Sequence, residues 1–241
     1  MMTTDYALYL ESGPKRRKTM VHVLDLLGCV AVGPTTEAAV EATPEAISAY
    51  LRFLKRCGEK VDPEAPFATH VEEHITEGTW LGNGDPYIAF GPDMEPLSKA
   101  ELTALTDRVV GLRAEIAAWA DSASEKDLAS TLPGSSRSSG AILLHVLGPT
   151  GAYLAPVLGT ISGVSALHTK AERGQLPIAE ALRQSMAIVA ERLRAATEAQ
   201  RTQPVQRPKE VRTLRKALRR TLEHDWEHLA ELSRRPGGPE I

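Results

Sequence analysis

The stretch Leu222-Glu-His-Asp-Trp-Glu-His-Leu229 places two histidines four residues apart near the end of the 241-residue chain. On an α-helix, residues with this spacing lie one turn apart on the same face, so His224 and His228 can reach the same metal ion. Two imidazoles alone bind a divalent transition metal weakly, and catalytic zinc sites generally use three protein ligands and leave one position open. We therefore expect a third ligand from another part of the chain.

The best candidate for this third ligand is His145, in the apolar segment Ala141-Ile-Leu-Leu-His-Val-Leu147. A single histidine among apolar residues is more often a hydrogen-bonded core residue than a ligand, so position alone leaves both interpretations open. Pro149 has no N–H for the carbonyl group of His145, and its ring clashes with that carbonyl. We therefore expect the helix to kink one turn after His145.

The residues around the histidine pair have the periodicity of a helix from about 209 to 234. At 100° per residue, one arc of this helix collects the apolar side chains Val211, Leu214, Leu218, Leu222, Leu229 and Leu232. His224 and His228 lie at the edge of the arc, where a cleft between helices would form. The other side carries Arg212, Arg215, Lys216, Arg219 and Arg220. Such a basic stripe predicts a solvated face and argues only weakly for nucleic-acid binding.

Three further helical patterns precede this one, at about 98–122, 138–158 and 177–200. The first begins at Ser98, a capping residue followed three positions later by Glu101. A serine-rich loop containing Pro133-Gly134 separates the first helix from the second. Four such helices predict a four-helix bundle, in which sites lie between facing helices.

The first 66 residues have a β-β-β-α pattern. Asp5-Tyr-Ala-Leu-Tyr-Leu10 alternates as a strand does, and the segments 19–24 and 28–33 predict two more strands. The basic cluster at 15–18 is typical of a solvated turn. A helix then begins at Pro34-Thr35-Thr36, with a hydroxyl cap, and ends at Gly58.

His70 and His74 have the same four-residue spacing as the C-terminal pair. However, Thr69, Val71 and Ile75 alternate as in a strand that completes the N-terminal sheet. In a strand, two residues four apart are too distant to share one ion. We therefore interpret both histidines as surface or sheet-edge residues.

Residues 78–97 are rich in glycine and proline and predict a linker that few contacts cross. A protease should then cut between Gly78 and Pro96. The predicted organisation is a domain at 1–77, this linker, and a bundle at 98–234. The fold class is α+β, with a small β-β-β-α-β domain followed by the four-helix bundle.

Composition indicates an ordinary soluble protein, with 42% hydrophobic and 24% charged residues. A net charge of −3 gives no general attraction to nucleic acid or acidic membranes. No apolar run reaches about 18 residues and the N-terminus lacks a signal pattern, so we expect a cytoplasmic protein. Cys29 and Cys57 are too few for a disulfide framework and are expected to be buried reduced thiols.

A family resemblance enters with Val23-Leu-Asp-Leu-Leu-Gly-Cys-Val-Ala-Val-Gly33, followed by Thr36-Glu-Ala-Ala-Val40 and Glu45-Ala-Ile-Ser-Ala-Tyr-Leu51. This segment resembles the HicB-type antitoxin domain, whose signature is an Asp-Leu-Pro-Gly-Cys run before such a helix. The chain has Leu27 where that family has proline. The resemblance implies binding of a small protein partner. A domain kept for dimerisation or for small-ligand binding is an equal alternative.

The C-terminal part resembles the DinB-like family over residues 98–234. The match is carried by Leu143-Leu-His-Val-Leu-Gly-Pro-Thr-Gly-Ala-Tyr-Leu154 and Leu222-Glu-His-Asp-Trp-Glu-His-Leu-Ala-Glu-Leu232. It implies a four-helix bundle, a homodimer and a divalent metal, zinc or nickel, bound by His145, His224 and His228. Some members of that family are thiol-dependent S-transferases, which adds a low-molecular-weight thiol as a possible cofactor.

Two other functions compete with S-transfer. His224-Asp-Trp-Glu-His228 matches the H-x-x-E-H pattern of inverted zinc proteases, but Glu227 projects away from the histidine pair, which disfavours a general base there. The stronger competitor is a non-enzymatic module, in which the HicB-like domain recognises a partner and the metal is structural. In either case Asp225 and Glu231 are candidates to orient the histidine rings, and Glu231 could instead be a fourth ligand.

Overall fold

The computed structural model describes residues 3–13, 18–132, 137–208 and 210–241. Over these residues the protein is a mixed α+β structure, 55% helical, with an N-terminal four-stranded sheet and a C-terminal region of about eight helices. The predicted α+β class is confirmed, whereas the HicB-type fold and the four-helix bundle stay predictions. The Pro133-Gly134 loop and the basic residues 15–17 lie outside the described residues.

The N-terminal sheet has the strand order β3-β2-β1-β4. Its elements are β1 (Thr4–Gly13), β2 (Lys18–Val23), β3 (Cys29–Gly33), α1 (Thr36–Arg56) and β4 (Phe67–Ile75). The first three strands pair antiparallel, and β4 returns parallel to β1 after α1. Thr35 caps α1 by accepting a hydrogen bond from the N–H of Ala38, as its position predicts.

The two faces of this sheet are covered differently. One face carries the buried side chains of Leu8, Leu10 and Val21 and lies under α1. The opposite face carries Tyr9 and His22, whose rings both pack 5.3 Å from that of Phe90. Phe90 belongs to residues 78–97, so the predicted linker forms part of the cover over this face.

The helical region contains α2 (Lys99–Ser122), α3 (Glu125–Ala129), α4 (Ser139–Leu147), α5 (Thr150–Leu158), α6 (Val164–Glu172), α7 (Ile178–Arg194), α8 (Glu198–Thr202) and α9 (Leu214–Ser233). Ser98 and Glu101 form the expected capping box at the start of α2. The predicted helix at 138–158 is divided into α4 and α5 at Gly148-Pro149, which confirms the expected break after His145.

The predicted start of the last helix at 209 is wrong. A short hairpin of β5 (Val205–Arg207) and β6 (Glu210–Arg212) comes first. The helix begins only after Thr213, whose hydroxyl accepts from the N–H of Lys216 and donates to the carbonyl of Asp93. This capping threonine therefore sets the start of α9.

The basic stripe of α9 is not the solvated face that the sequence predicts. Lys216, Arg219 and Arg220 are each at most 3% exposed. Arg219 donates to both carboxylate oxygens of Asp93, at 2.8 and 3.0 Å, and to those of Glu223, at 3.2 and 3.3 Å. The reason is tertiary: the N-terminal sheet and residues 78–97 cover this side of the helix.

The expectation that few contacts cross residues 78–97 is also wrong. The Glu11 carboxylate on β1 accepts hydrogen bonds from the N–H groups of Gly84 and Asp85. Gly84 has φ +71°, and its backbone lies so close to the Arg220 guanidinium that a side chain there would collide with it. The segment is packed between β1 and α9, although the division into 1–77, 78–97 and 98–234 itself stays a prediction.

Replacing Lys216 by methionine is expected to stabilise the protein at pH 7. Burial, together with Arg212 and Arg219, lowers the pKa of Lys216 to about 8, against an ordinary value of about 10.4. Between about pH 8 and pH 10.4 the unfolded chain binds more protons than the folded chain, so stability rises with pH over this range. Below about pH 8 the buried Lys216 is charged, and this charge lowers the free energy of unfolding. Lys216→Met should raise the free energy of unfolding by up to about 3 kcal/mol at pH 7 and by less at pH 9.5. Urea unfolding at both pH values measures this, and a less stable variant at pH 7 would contradict it.

The stretch Ser139–Leu158 is the one described segment with the length and composition of a membrane span. It has 20 residues with a mean hydropathy of 1.6, and 44% of its apolar window is buried inside the protein. One weakly apolar segment of this kind, which is divided into α4 and α5, is not enough to indicate a membrane protein. A cytoplasmic location stays a prediction.

Candidate metal centre

The structure brings the three predicted histidines together. His145 lies in the last turn of α4, and His224 and His228 lie one turn apart on α9. One ring nitrogen from each residue lies within 4.8 Å of the other two. This cluster can hold a metal ion.

One measured spacing in the cluster suits a small tetrahedral ion. The Nε2 atoms of His145 and His224 are 3.2 Å apart. With metal–nitrogen bonds of about 2.0–2.1 Å, tetrahedral geometry places two ligand nitrogens roughly 3.3 Å apart. The His145 and His224 nitrogens therefore stand at about the separation that such an ion requires, and a ring nitrogen of His228 lies within 4.8 Å of the other two ligand atoms.

Two carboxylates hold the histidine rings of α9. Asp225 Oδ1 lies 3.2 Å from His224 Nδ1, and Glu231 Oε2 lies 2.9 Å from His228 Nδ1. A carboxylate is the acceptor in such a pair, so each Nδ1 carries the proton and each Nε2 keeps its lone pair for a ligand bond. Glu231 therefore contacts His228 on the Nδ1 side of the ring, which is the position expected of an orienting group.

The electrostatics of the cluster favour neutral imidazoles beside an ionised carboxylate. The pKa of His145 is lowered to about 4, mainly by its removal from water and secondarily by the nearby His224 and His228. Burial also lowers the pKa of His224, although Asp225 offsets part of this effect. The hydrogen bond from His228 is the main contact that lowers the pKa of Glu231 to about 2. Neutral imidazole is the form that binds zinc and nickel.

The cluster is open on one side. His224 and His228 are 6% and 5% exposed, whereas His145 is exposed to solvent. The ring of Tyr153 on α5 stands 5.7 Å from that of His224, and the Arg220 guanidinium lies 5.6 Å from the centre of the Tyr153 ring. A ligand reaching the three histidines would approach past His145.

Arg113 is a residue of this centre that the sequence analysis missed. It lies on α2, is 1% exposed, and forms an ion pair with Asp225. The sequence does indicate that Arg113 is buried. It stands four residues after Val109 and three before Ile116, inside the apolar stripe of the helix. A buried arginine at such a position requires an acidic partner.

The competing histidine pair is separate from this cluster. His70 and His74 lie on β4, the edge strand of the sheet, as predicted. His70 pairs with Asp5 at 3.1 Å, and His74 lies 2.8 Å from the hydroxyl of Ser12. These contacts account for both residues without a metal.

Both cysteines are free, as expected. Cys29 is fully buried, and Cys57 is only partly buried. Burial raises the pKa of Cys57 to about 11 and that of Cys29 further. Neither is therefore a reactive thiolate at neutral pH.

Comparisons of the chain with family models, with curated proteins and with solved structures gave no match.

Proposed function

We propose that His145, His224 and His228 bind one divalent transition metal, zinc or nickel, in a DinB-like protein. The observation that carries this proposal is the convergence of three ring nitrogens within 4.8 Å. Clustering and burial favour the neutral form of these rings, because protonating any one of them disfavours protonation of the others. A shared metal binds this neutral form.

The number of protein ligands favours a reactive site over a purely structural one. Structural zinc sites are generally closed by four protein ligands, whereas catalytic sites use three and keep one position open. Here the carboxylate of Glu231 already accepts hydrogen bonds from His228 Nδ1 and from Arg235. The exposed His145 gives solvent access to one side of the cluster.

The reaction we propose is S-transfer from a low-molecular-weight thiol to an electrophile. A divalent metal bound at this site would lower the pKa of a coordinated thiol, so that the thiolate form would be present at neutral pH. In the transfer, the sulfur attacks an electrophilic carbon, a carbon–sulfur bond forms, and the leaving group departs with its electron pair. The thiol proton passes to solvent. The three imidazoles would hold the metal, and Asp225 and Glu231 keep the rings of His224 and His228 in the ligating tautomer.

A second candidate is a partner-binding module with a structural metal, and the position of α9 favours it. This helix carries the histidine pair on one side and Glu223 on the other, where Glu223 lies 2.7 Å from His22 Nδ1 on β2. Metal binding would then stiffen the helix that supports the HicB-like sheet. The exposed edge strand β4 is a surface on which a small protein partner could add a strand.

Cobalt substitution distinguishes these two functions. Elemental analysis of the purified full-length protein is expected to give one divalent metal per chain. After replacement by Co²⁺, cysteine or glutathione should produce a sulfur-to-cobalt charge-transfer band if the fourth position is open. The matched control is His74→Ala, which should behave as the wild type. Metal without any thiol band, together with a large fall in melting temperature on chelation, would favour the structural module.

The homodimer implied by the resemblance is part of this proposal. Light scattering at micromolar concentration should then give about twice the chain mass of 26.1 kDa. A species of the chain mass alone would exclude it.

A further inference from the structure

Arg113 connects the two helices that supply the metal ligands. Its Nε and Nη2 atoms donate to the Asp225 carboxylate, with Nη2 3.1 Å from Oδ1. Nη2 also donates to the carbonyl of Val146, at 3.0 Å, and to the hydroxyl of Thr150. Nη1 reaches the hydroxyl of Ser185 on α7 at 3.4 Å. One guanidinium thus contacts α4, α5, α7 and α9.

These contacts are placed at the break between α4 and α5. Pro149 interrupts the helix, and the peptide carbonyls before it lose part of their regular helical hydrogen bonding. The carbonyl of Val146, the residue next to His145, accepts from Arg113 and from the Thr150 hydroxyl, at 3.0 and 3.3 Å. Arg113 therefore fixes the backbone beside one ligand.

The same guanidinium acts on a second ligand through its carboxylate. Asp225 accepts from His224 Nδ1 on one side and from Arg113 on the other. The His224 ring is thus held by a carboxylate that Arg113 keeps in place.

We propose that Arg113 is a positioning residue that sets the separation and orientation of His145 and His224 for metal binding. This inference rests on the proposed metal site. Arginine suits the task because its planar, forked guanidinium makes several hydrogen bonds in fixed directions, whereas lysine is a point charge on a flexible stem. A loose site binds metal less tightly even when all its ligands are present.

The test compares two arginines of α2 in the full-length protein. Arg113→Lys keeps the charge and removes the fork. Arg108→Lys is the matched control, because Arg108 makes a bidentate pair with Glu59 at 2.5 and 2.9 Å, away from the histidines. Zn²⁺ affinity is measured by competition with a chromophoric chelator. We expect Arg113→Lys to weaken Zn²⁺ binding about 10-fold or more, and Arg108→Lys to stay within about twofold of the wild type.

A milder variant covers the case in which Arg113→Lys does not fold. Thr150→Val removes only the hydroxyl that Arg113 and the Val146 carbonyl share. We expect it to weaken Zn²⁺ binding severalfold and, in a folded Arg113→Lys background, to add little further loss, because both changes act on one network.

The outcomes separate this inference from the proposed function. A wild-type protein that binds no Zn²⁺ refutes the metal site itself. If the wild type binds Zn²⁺ and Thr150→Val and every folded Arg113 variant bind it equally well, Arg113 is only a structural ion pair and the inference is wrong. A lower melting temperature with unchanged affinity leads to the same conclusion.

Discussion

Replacing Glu223 by alanine is expected to lower the free energy of unfolding by about 3–5 kcal/mol, the cost of breaking a buried ion pair from one side. Glu223 is fully buried and accepts hydrogen bonds from three groups. Arg220 Nη1 lies at 2.8 Å, Arg219 Nη1 at 3.2 Å, and His22 Nδ1 at 2.7 Å. Without the carboxylate, two buried guanidinium groups lose a shared counter-charge. Arg219 keeps Asp93, whereas Arg220 keeps only its weaker contacts.

The measurement is urea unfolding of the metal-free protein, with Glu227→Ala as the control. Glu227 lies one turn further along the same helix and pairs with Lys18 at 3.3 Å, with about a quarter of each side chain exposed. Its loss should cost at most about 1 kcal/mol. Glu223→Gln, which keeps the volume and one acceptor, should fall between the two. Equal destabilisation by Glu223→Ala and Glu227→Ala would show that the buried network contributes no more than a partly exposed pair.

The buried hydrogen bonds of Glu223 with Arg219 and Arg220 explain why the basic side of α9 was wrongly predicted to be solvated. The helical projection of α9 correctly separates an apolar arc from a basic one. The prediction of a solvated face assumes in addition that the basic arc contacts water. Here the basic arc meets the polar face of the sheet, where Glu11 and His22 are fully buried. The basic residues of the last helix were predicted to be solvated, and residues 78–97 were predicted to be a linker. Only their pairing in three dimensions, such as that of Asp93 with Arg219, permits burial.

The sequence predicted helix boundaries correctly where the deciding interaction lies within one helical turn. The capping box of Ser98 and Glu101 marks the start of α2, and Pro149 marks the break after His145, because each acts within one helical turn. The histidine spacing within α9 is equally local. By contrast, the meeting of α4 with α9 depends on tertiary packing. Position alone left the role of His145 open, and the DinB-like resemblance favoured ligation.

The largest effect on metal binding is expected from replacing any one of the three histidines by alanine. His145→Ala, His224→Ala and His228→Ala should each weaken Zn²⁺ binding roughly 100-fold or more. Binding at a structural zinc site contributes about 10–16 kcal/mol over four ligands, so one ligand accounts for about 3 kcal/mol or more. Metal content after gel filtration should fall from one ion per chain to a small fraction.

His145→Ala is the most informative of the three variants, because its exposed side chain contributes little to the core. Its circular dichroism should match that of the wild type, since the apolar packing of α4 depends on Ile142, Leu143, Val146 and Leu147. His70→Ala and His74→Ala are the matched controls and should keep full metal. If His145→Ala retains one tightly bound ion, the 3.2 Å contact between its Nε2 and that of His224 is only a hydrogen bond between two rings. Two ligands on α9 would then bind the metal without α4, and the proposed S-transferase site would have to be abandoned.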